Sequence, residues 1–256
     1  MIHASNGRLE DGCLSIPNGS VDVIVTSPPY FKRDGYSSSL MTSLGVFSRR
    51  VLKPGGRVFL NFGPTKEGFL RPFEAAQLVG ISSRLTTWQT ILWIKSIAIS
   101  EITFGHFQPI ASKAPILNYC HEYIFQFVKE PQRPIDRLSI GVPYMDKTNL
   151  KRDTRGQHGD RHCAGDVWFI PYETTGKTNK KLHRHSFPIE LAIRCIKLAN
   201  LPSDGVVCDP FSGGCTTGAA AESLGFDCYS NTYSTESDDG DEDEDLDDFI
   251  LDLERS

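Results

Sequence analysis

The sequence has no long apolar segment, and its cysteines lack the spacings that build a disulfide framework or a zinc site. No apolar run approaches the roughly 18 residues that a membrane-spanning helix needs. The first residues also lack the charged and apolar regions of a signal peptide. The seven cysteines are odd in number and include no C-x-x-C pair, which is typical of reduced intracellular thiols. We therefore expect an intracellular protein without a membrane segment or a metal.

An overall basic charge is also missing, since the chain carries a net charge of −5. Residues 236–256 hold twelve acidic residues and one arginine, which leaves +6 on residues 1–235. Residues 129–197 alone hold fourteen basic and eight acidic residues. This stretch predicts a polyanion-binding surface, with a solvated loop region as the alternative. Residues 235–256 are expected to be a disordered acidic tail that solubilises the chain, screens the basic surface or binds a basic partner.

Strand and helix patterns alternate along the chain. The predicted strands lie at 21–25, 57–62, 86–95 and 121–129, and residues 205–211 are predicted to run from a strand into a loop. The predicted helices lie at 37–52, 69–80, 187–199 and 216–225. Residues 130–184 show little periodicity and form an irregular inserted segment. The alternation predicts an α/β fold, a Rossmann-like doubly wound and mostly parallel sheet, within one domain over residues 1–234.

Two loops follow predicted strands at the edge where such sheets bind ligands. In the loop that begins DPFSGGCTTG at residue 209, glycines let the backbone approach a ligand, and a helix start offers free N–H groups. No lysine follows these glycines, which excludes a P-loop. In the other loop, TSPPY at 26–30, two prolines hold hydroxyl and carbonyl acceptors rigidly beside an aromatic ring. That arrangement suits the exocyclic amino group of a flat base.

Together, the segments VDVIVTSPPY, VLKPGGRVFLNFG, ILWIK, HEYIFQFVK, GDVWFIPYETT and DPFSGGCTTGAAAESLG resemble S-adenosyl-L-methionine-dependent DNA amino-methyltransferases. The Pro-Pro motif precedes the cofactor loop, an order similar to that of the permuted β-class. Ser-Pro-Pro-Tyr resembles mainly the N4-cytosine enzymes, whereas Asp- or Asn-Pro-Pro-Tyr is more typical of N6-adenine enzymes. Some adenine enzymes also carry the serine, so an N6-adenine methyltransferase is the alternative. The resemblance implies the class I methyltransferase fold, S-adenosyl-L-methionine as cofactor and DNA as substrate. It places target recognition at about residues 130–184.

The resemblance also implies roles for the matching residues. Ser27 and the Pro28 carbonyl accept hydrogen bonds from N4 of a flipped cytosine, Pro29 keeps the corner rigid, and Tyr30 stacks on the base. The implied cofactor-binding residues are Asn6, Thr26, Asn61, His185, Phe187, Pro188, Asp209, Pro210, Phe211, Gly213, Gly214, Thr216 and Thr217. The implied DNA-binding residues are Trp93, Lys95, Lys147, Lys151, Arg152, Arg155 and Arg161. The amino nitrogen attacks the sulfonium methyl directly, without a covalent enzyme intermediate or a metal.

Alternatives remain at this level. A 5-methylcytosine enzyme is excluded because its nucleophilic Pro-Cys pair does not occur. Cys215 replaces a family glycine, Asn231 or Thr232 stands where a ribose-binding carboxylate is usual, and Asn6 replaces a frequent Asp. Glu236 is a candidate to compensate. These departures leave open a nucleic-acid-binding module that has lost efficient cofactor binding, although the intact Ser27–Tyr30 corner favours an active enzyme.

The resemblance also leads to expectations about partners and cellular location. The short recognition segment is compatible with a brief target sequence or with help from a partner or homodimer. A nucleoid or cytoplasmic location is expected for a bacterial or phage enzyme, and a nuclear one for a eukaryotic enzyme.

Overall fold

The computed structural model describes residues 1–9, 13, 15–31, 35–65, 68–99, 102–104, 117, 119–147, 159–171 and 187–232. Within these residues the strands are β1 (Ile2–Asn6), β2 (Val21–Thr26), β3 (Leu52–Phe62), β4 (Thr86–Ile94), β5 (Ile97–Ile99), β6 (Ile102–Phe104), β7 (His121–Val128), β8 (Val167–Phe169), β9 (Val206–Asp209) and β10 (Asp227–Thr232). The helices are α1 (Ser38–Val51), α2 (Arg71–Ser83), α3 (Ile189–Leu198) and α4 (Thr216–Ser223). None of these described helices is long and apolar enough to cross a membrane.

Eight of the described strands form one sheet in the order β1-β10-β9-β2-β3-β7-β4-β8. Their pairings are parallel apart from those of β7, which runs antiparallel to both β3 and β4. The predicted α/β fold with a mostly parallel sheet is confirmed. Because successive strands lead away in opposite directions from the β9–β2 pair, that pair is the topological switch point, where α/β sheets bind ligands.

The helices cover both faces of the sheet. Side chains alternate along β2, so that Ile24 packs in a core with α1 and α2, while Val23 and Val25 pack in a second core with α3 and α4. Because β2 is buried on both faces, its residues are apolar apart from Asp22 and Thr26.

The predicted start of β3 at residue 57 is wrong, since the strand begins at Leu52 and runs through the Lys53–Gly56 stretch. The register explains the error. Val21 pairs with Leu52 and Val23 with Arg57, so an irregularity in β3 absorbs the extra residues. Gly55 adopts a φ of 81°, and its N–H donates to the Lys129 carbonyl at 2.7 Å. Pro and Gly therefore bend the strand here and do not terminate it.

Part of the predicted irregular segment belongs to the framework of the sheet. Strand β8 pairs in parallel with β4, and the Trp168 side chain is buried in the second core. The Arg133 guanidinium lies 3.2 Å from the buried carboxylate of Asp22, near the amino end of β2. The expectation of an irregular insertion over the whole of 130–184 is therefore wrong for β8. Residues 148–158 and 172–184 lie outside the described residues.

Candidate active site

The strand directions bring five chain segments to one edge of the sheet. The carboxyl ends of β2, β3, β4 and β9 point to this edge, because these strands are parallel to one another. The amino end of β7 lies at the same edge, because β7 is reversed. The Ser-Pro-Pro-Tyr corner, the end of β3, the residue after β4 and the first residues of β7 therefore meet around one site.

Asp209 joins the two predicted loops. One carboxylate oxygen accepts hydrogen bonds from the Thr26 hydroxyl at 2.6 Å and the Phe211 N–H at 3.0 Å. The other accepts from the Thr217 hydroxyl at 2.6 Å. Asp209 is only 2% exposed, and burial raises the pKa of its carboxyl to about 6. Its side chain fastens the end of β9 to the end of β2 and to the start of α4.

The Ser-Pro-Pro-Tyr corner ends in a polar cluster. The Ser27 and Tyr30 hydroxyl oxygens lie 2.7 Å apart, and the Tyr30 hydroxyl donates to a Glu122 oxygen at 3.0 Å. The Asn61 amide donates to the Tyr30 oxygen and to the same Glu122 oxygen, both at 2.7 Å. Lys95 Nζ lies 3.0 Å from the other Glu122 oxygen. We call Ser27, Tyr30, Asn61, Lys95 and Glu122 the corner cluster.

The Tyr30 ring is held on one side and at its tip. It stacks on Phe62 with ring centroids 4.4 Å apart and an interplanar angle of 24°. The Arg71 guanidinium donates to the Tyr30 carbonyl at 3.3 Å. Burial raises the pKa of Tyr30 well above its usual value, and the negative charge of Glu122 acts in the same direction. The phenol is therefore a fixed, protonated donor.

Glu122 is the member of the corner cluster that the sequence did not predict. It occupies the second position of β7 and is 9% exposed, in a strand whose other buried residues are mostly apolar. Gly63 lies against it, since a Cβ at that position would sit 3.0 Å from Glu122 Cγ and 3.2 Å from Tyr30 Cε2. A charged residue near the start of an otherwise apolar strand was the available signal. The sequence did not indicate that Glu122 lies at the site, because this position follows from the antiparallel direction of β7.

The loop between β9 and α4 has room for a ligand. Gly213 and Gly214 are exposed, and a Cβ on Gly213, whose φ is 45°, would meet no atom of the described residues within 4 Å. Cys215 has a φ of 60° and precedes α4 without capping the helix through its side chain. Its thiol instead points to Ser230 Oγ at 3.6 Å. The Cys215 side chain is therefore directed toward β10.

Several predicted cofactor residues play framework roles as well. Phe211 and Phe187 are mostly buried, in the first and second core respectively, and Pro188 is buried at the start of α3. Pro210 accepts a hydrogen bond from the Asn231 amide at 3.2 Å. Thr216 is half-buried in the first turn of α4.

The end of β10 lies next to the end of β1. Asn6 is exposed and pairs in register with the exposed Thr232. Asn231 is buried, donates to the carbonyls of Gly7 and Pro210, and accepts from the Ser5 hydroxyl at 2.9 Å. The Asn231 amide is thus bonded to β1, to the residue after β1 and to the β9–α4 loop. The exposed Thr232 is therefore the better candidate to replace the ribose-binding carboxylate.

The predicted DNA contacts divide into four groups. Trp93 is a correction, since it is 3% exposed in the second core and its indole N–H donates to the Ile170 carbonyl at 2.7 Å. Lys95 belongs to the corner cluster. Lys147 and Arg161 are exposed, and Lys147 Nζ lies 2.6 Å from the Asp160 carboxylate. Lys151, Arg152, Arg155 and the predicted cofactor residue His185 lie outside the described residues.

Comparison with solved structures agrees with this architecture. A protein from Thermus thermophilus, crystallised in complex with S-adenosyl-L-methionine, matches with a TM-score of 0.60 and 22% identity over 91% of this chain and 90% of that chain. The cytosine-N4-specific PvuII DNA methyltransferase matches with a TM-score of 0.65 and 16% identity over 99% of this chain and 93% of that chain. The fold is that of the class I methyltransferases.

The sequence comparison identifies the family. The model of the DNA methylase family of N6 and N4 methyltransferases matches residues 21–237, so the chain belongs to this family. A curated relative, the type II methyltransferase M.BglII of Bacillus subtilis, is 27% identical over 239 residues, which is 86% of this chain. The match spans 62% of the length of M.BglII.

Proposed function

We propose that this protein is a site-specific DNA methyltransferase that transfers a methyl group from S-adenosyl-L-methionine to the exocyclic N4 of cytosine. The observation that carries the proposal is the corner cluster, which holds Ser27 at the end of β2 next to the loop of β9. The family assignment supports methyl transfer to an amino group of DNA. The serine of Ser-Pro-Pro-Tyr is what favours cytosine over adenine.

The cofactor-binding proposal rests on the β9–α4 loop. The open space around Gly213 and the absence of a side-chain cap at the start of α4 fit a ligand that approaches the backbone closely. The residues that would hold the cofactor are those of the loop and its surroundings, from Asp209 to Thr217, with Thr26, Asn6 and Thr232 at its borders. When bound, S-adenosyl-L-methionine supplies the methyl group from its sulfonium centre.

The corner would orient the target base. Ser27 and the Pro28 carbonyl accept the amino protons and so direct the nitrogen lone pair away from the ring plane. This corner can act only on a base that has left the double helix, because the amino group must reach a half-buried serine at the edge of the sheet. Lys147, Arg161 and the basic residues between them would contact DNA phosphates.

Product analysis tests the choice of base. DNA incubated with the protein and S-adenosyl-L-methionine is digested to nucleosides and examined by mass spectrometry. We expect N4-methylcytosine. N6-methyladenine without N4-methylcytosine would overturn the assignment to cytosine, and the lack of any methylated nucleoside would contradict methyl transfer itself.

Substitution of Ser27 tests the mechanism. We expect Ser27→Ala to lower kcat about a hundredfold, because one positioned acceptor at the reacting group is removed. Binding of S-adenosyl-L-methionine, measured by calorimetry, should remain unchanged, since the β9–α4 loop is untouched. Full activity of Ser27→Ala would refute the role of the serine. Failure of the unsubstituted protein to bind the cofactor would favour a binding module of the same fold.

A further inference from the structure

The hydrogen bonds of the corner cluster have a direction. The Glu122 carboxylate receives Lys95 on one oxygen and the Asn61 amide on the other, so it acts as an acceptor at both oxygens. The Tyr30 hydroxyl has a single proton, and it donates that proton to Glu122. The contact of 2.7 Å between Tyr30 and Ser27 must then be donated by Ser27. Glu122 thereby determines where the Ser27 proton points.

This direction matters for the substrate. A serine hydroxyl can donate one hydrogen bond and accept two. When its proton is directed to Tyr30, the lone pairs of Ser27 Oγ remain for an incoming amino group, which needs an acceptor. With the opposite direction, the Ser27 proton would face the amino group and repel it. The corner is a good acceptor site only while Tyr30 donates to Glu122.

We propose that Glu122 is a positioning residue which, through Tyr30, fixes Ser27 as a hydrogen-bond acceptor for the amino group of the target base. The inference rests on the proposed function and extends it by one residue outside the Ser-Pro-Pro-Tyr motif. Asn61 supports the arrangement. Its amide donates to both Tyr30 and Glu122 and so holds the carboxylate beside the phenol. Gly63 leaves the space that the carboxylate needs.

A double-mutant cycle tests the proposal. Steady-state methyl transfer to DNA is measured for the unsubstituted protein, Glu122→Gln, Tyr30→Phe and the double variant. Glu122→Gln and Tyr30→Phe should each lower kcat about tenfold to a hundredfold, the effect of losing a charge-assisted hydrogen bond. Cofactor affinity should stay the same. In the Tyr30→Phe background, Glu122→Gln should have little further effect, because the path to Ser27 is already cut.

The controls separate this role from a structural one. Glu222→Gln, which removes an exposed carboxylate from the last turn of α4, should retain the activity of the unsubstituted protein. If Glu122→Gln does not fold, as judged by circular dichroism, the cycle is repeated with Glu122→Asp, which keeps the charge but withdraws it from Tyr30. Multiplicative losses in the double variant would show that Glu122 acts independently of Tyr30 and would overturn the proposal. So would an unchanged kcat for Glu122→Gln in a protein that methylates DNA. If the unsubstituted protein transfers no methyl group, the proposed function fails instead.

Discussion

Asp209 is a carboxylate without access to water that serves as the junction of two loops. Its neighbours are hydroxyl and amide donors, and within the described residues no cation forms an ion pair with it. Burial therefore disfavours its charged form, and its pKa of about 6 lies above the ordinary value of 3.8. The folded protein binds the Asp209 proton more tightly than the unfolded chain does. Stability from this group is present below pH 4 and is lost as the pH rises toward 6.

Asp209→Asn should abolish this pH dependence. Asparagine can still accept from Thr26 and the Phe211 N–H, and Thr217 can turn its proton to the Val25 carbonyl, 3.3 Å away. Between pH 4 and pH 7, the free energy of unfolding of the variant should therefore rise relative to that of the unsubstituted protein by about 2 kcal/mol. Urea denaturation of both proteins across this pH range measures the difference. A constant difference would show that Asp209 stays ionised in the folded state.

Gly63 is the residue at which packing and the corner cluster meet. An added Cβ would lie 3.0 Å from Glu122 Cγ and 3.1 Å from its carboxyl carbon. Gly63→Ala should therefore move the carboxylate away from Tyr30 and lower kcat about tenfold. Gly68→Ala is the matched control, since its Cβ would find its nearest neighbour at 4.0 Å. Equal activity of the two variants would argue against a need for close contact between Gly63 and Glu122.

Sequence reasoning was strongest where the residue type itself carries the chemistry. Ser27 and Tyr30 follow a strand and lie at the functional edge, because a parallel strand presents its carboxyl end there. Trp93 was wrongly predicted to contact DNA. The alternation of side chains along β4 does not indicate that both faces of this strand are covered near its end. Glu122 was missed because its place in the site depends on the direction of β7, a property of strand pairing that the sequence of β7 does not contain.

At the scale of elements, the amino ends of the strands are fastened by one buried carboxylate. Asp22 at the start of β2 accepts from Lys53 at 2.6 Å, from Arg133 at 3.2 Å and from the Val206 N–H at 3.0 Å. These partners belong to β3, to the segment after β7 and to β9. The Asp22 carboxylate is buried, with 4% exposure, whereas its partners Lys53 and Arg133 are partly exposed.

Asp22→Ala should destabilise the protein by about 3 kcal/mol, because it leaves two cations and a buried N–H without their acceptor. Asp22→Asn retains an acceptor for Val206 and should cost about half as much. Thermal unfolding with a cofactor-binding assay on the folded variants measures both effects. Cofactor affinity should be unchanged, since Asp22 lies at the edge opposite the site. A weaker affinity would indicate that the contacts of Asp22 also affect the conformation of the β9–α4 loop.

The helices were predicted within a few residues, because their apolar periodicity and boundary residues are local. Ser37, for example, caps α1 by accepting from the Leu40 N–H at 3.1 Å. The bend inside β3 and the joining of β8 to the sheet are different. They depend on partners distant in sequence, namely β2 and β4. The local sequence, Pro and Gly in β3 and a run of three apolar residues in β8, is equally typical of a loop.

At the scale of the whole molecule, the charge is divided between a basic body and an acidic end. Removal of residues 235–256 should raise DNA affinity about tenfold at low salt and much less at high salt, because a segment of net charge −11 repels DNA phosphates. Fluorescence anisotropy with a DNA duplex measures this change. A tail of equal length with Asn and Gln in place of Asp and Glu is the control, and it should behave like the truncated protein. If only truncation strengthens binding, the tail acts by its bulk and not by its charge.

The reversal of β7 also determines where the chain can vary. After Val128 the chain leaves the sheet at the edge opposite the site. There Lys129 contacts the first residue of β3, and Arg133 contacts the second residue of β2. The chain rejoins the sheet at β8. Neither attachment point belongs to the corner cluster. We therefore expect changes in the exposed part of the intervening stretch to leave the corner cluster in place. A chimaera that exchanges only this stretch would test whether it determines the target sequence of the proposed methyltransferase.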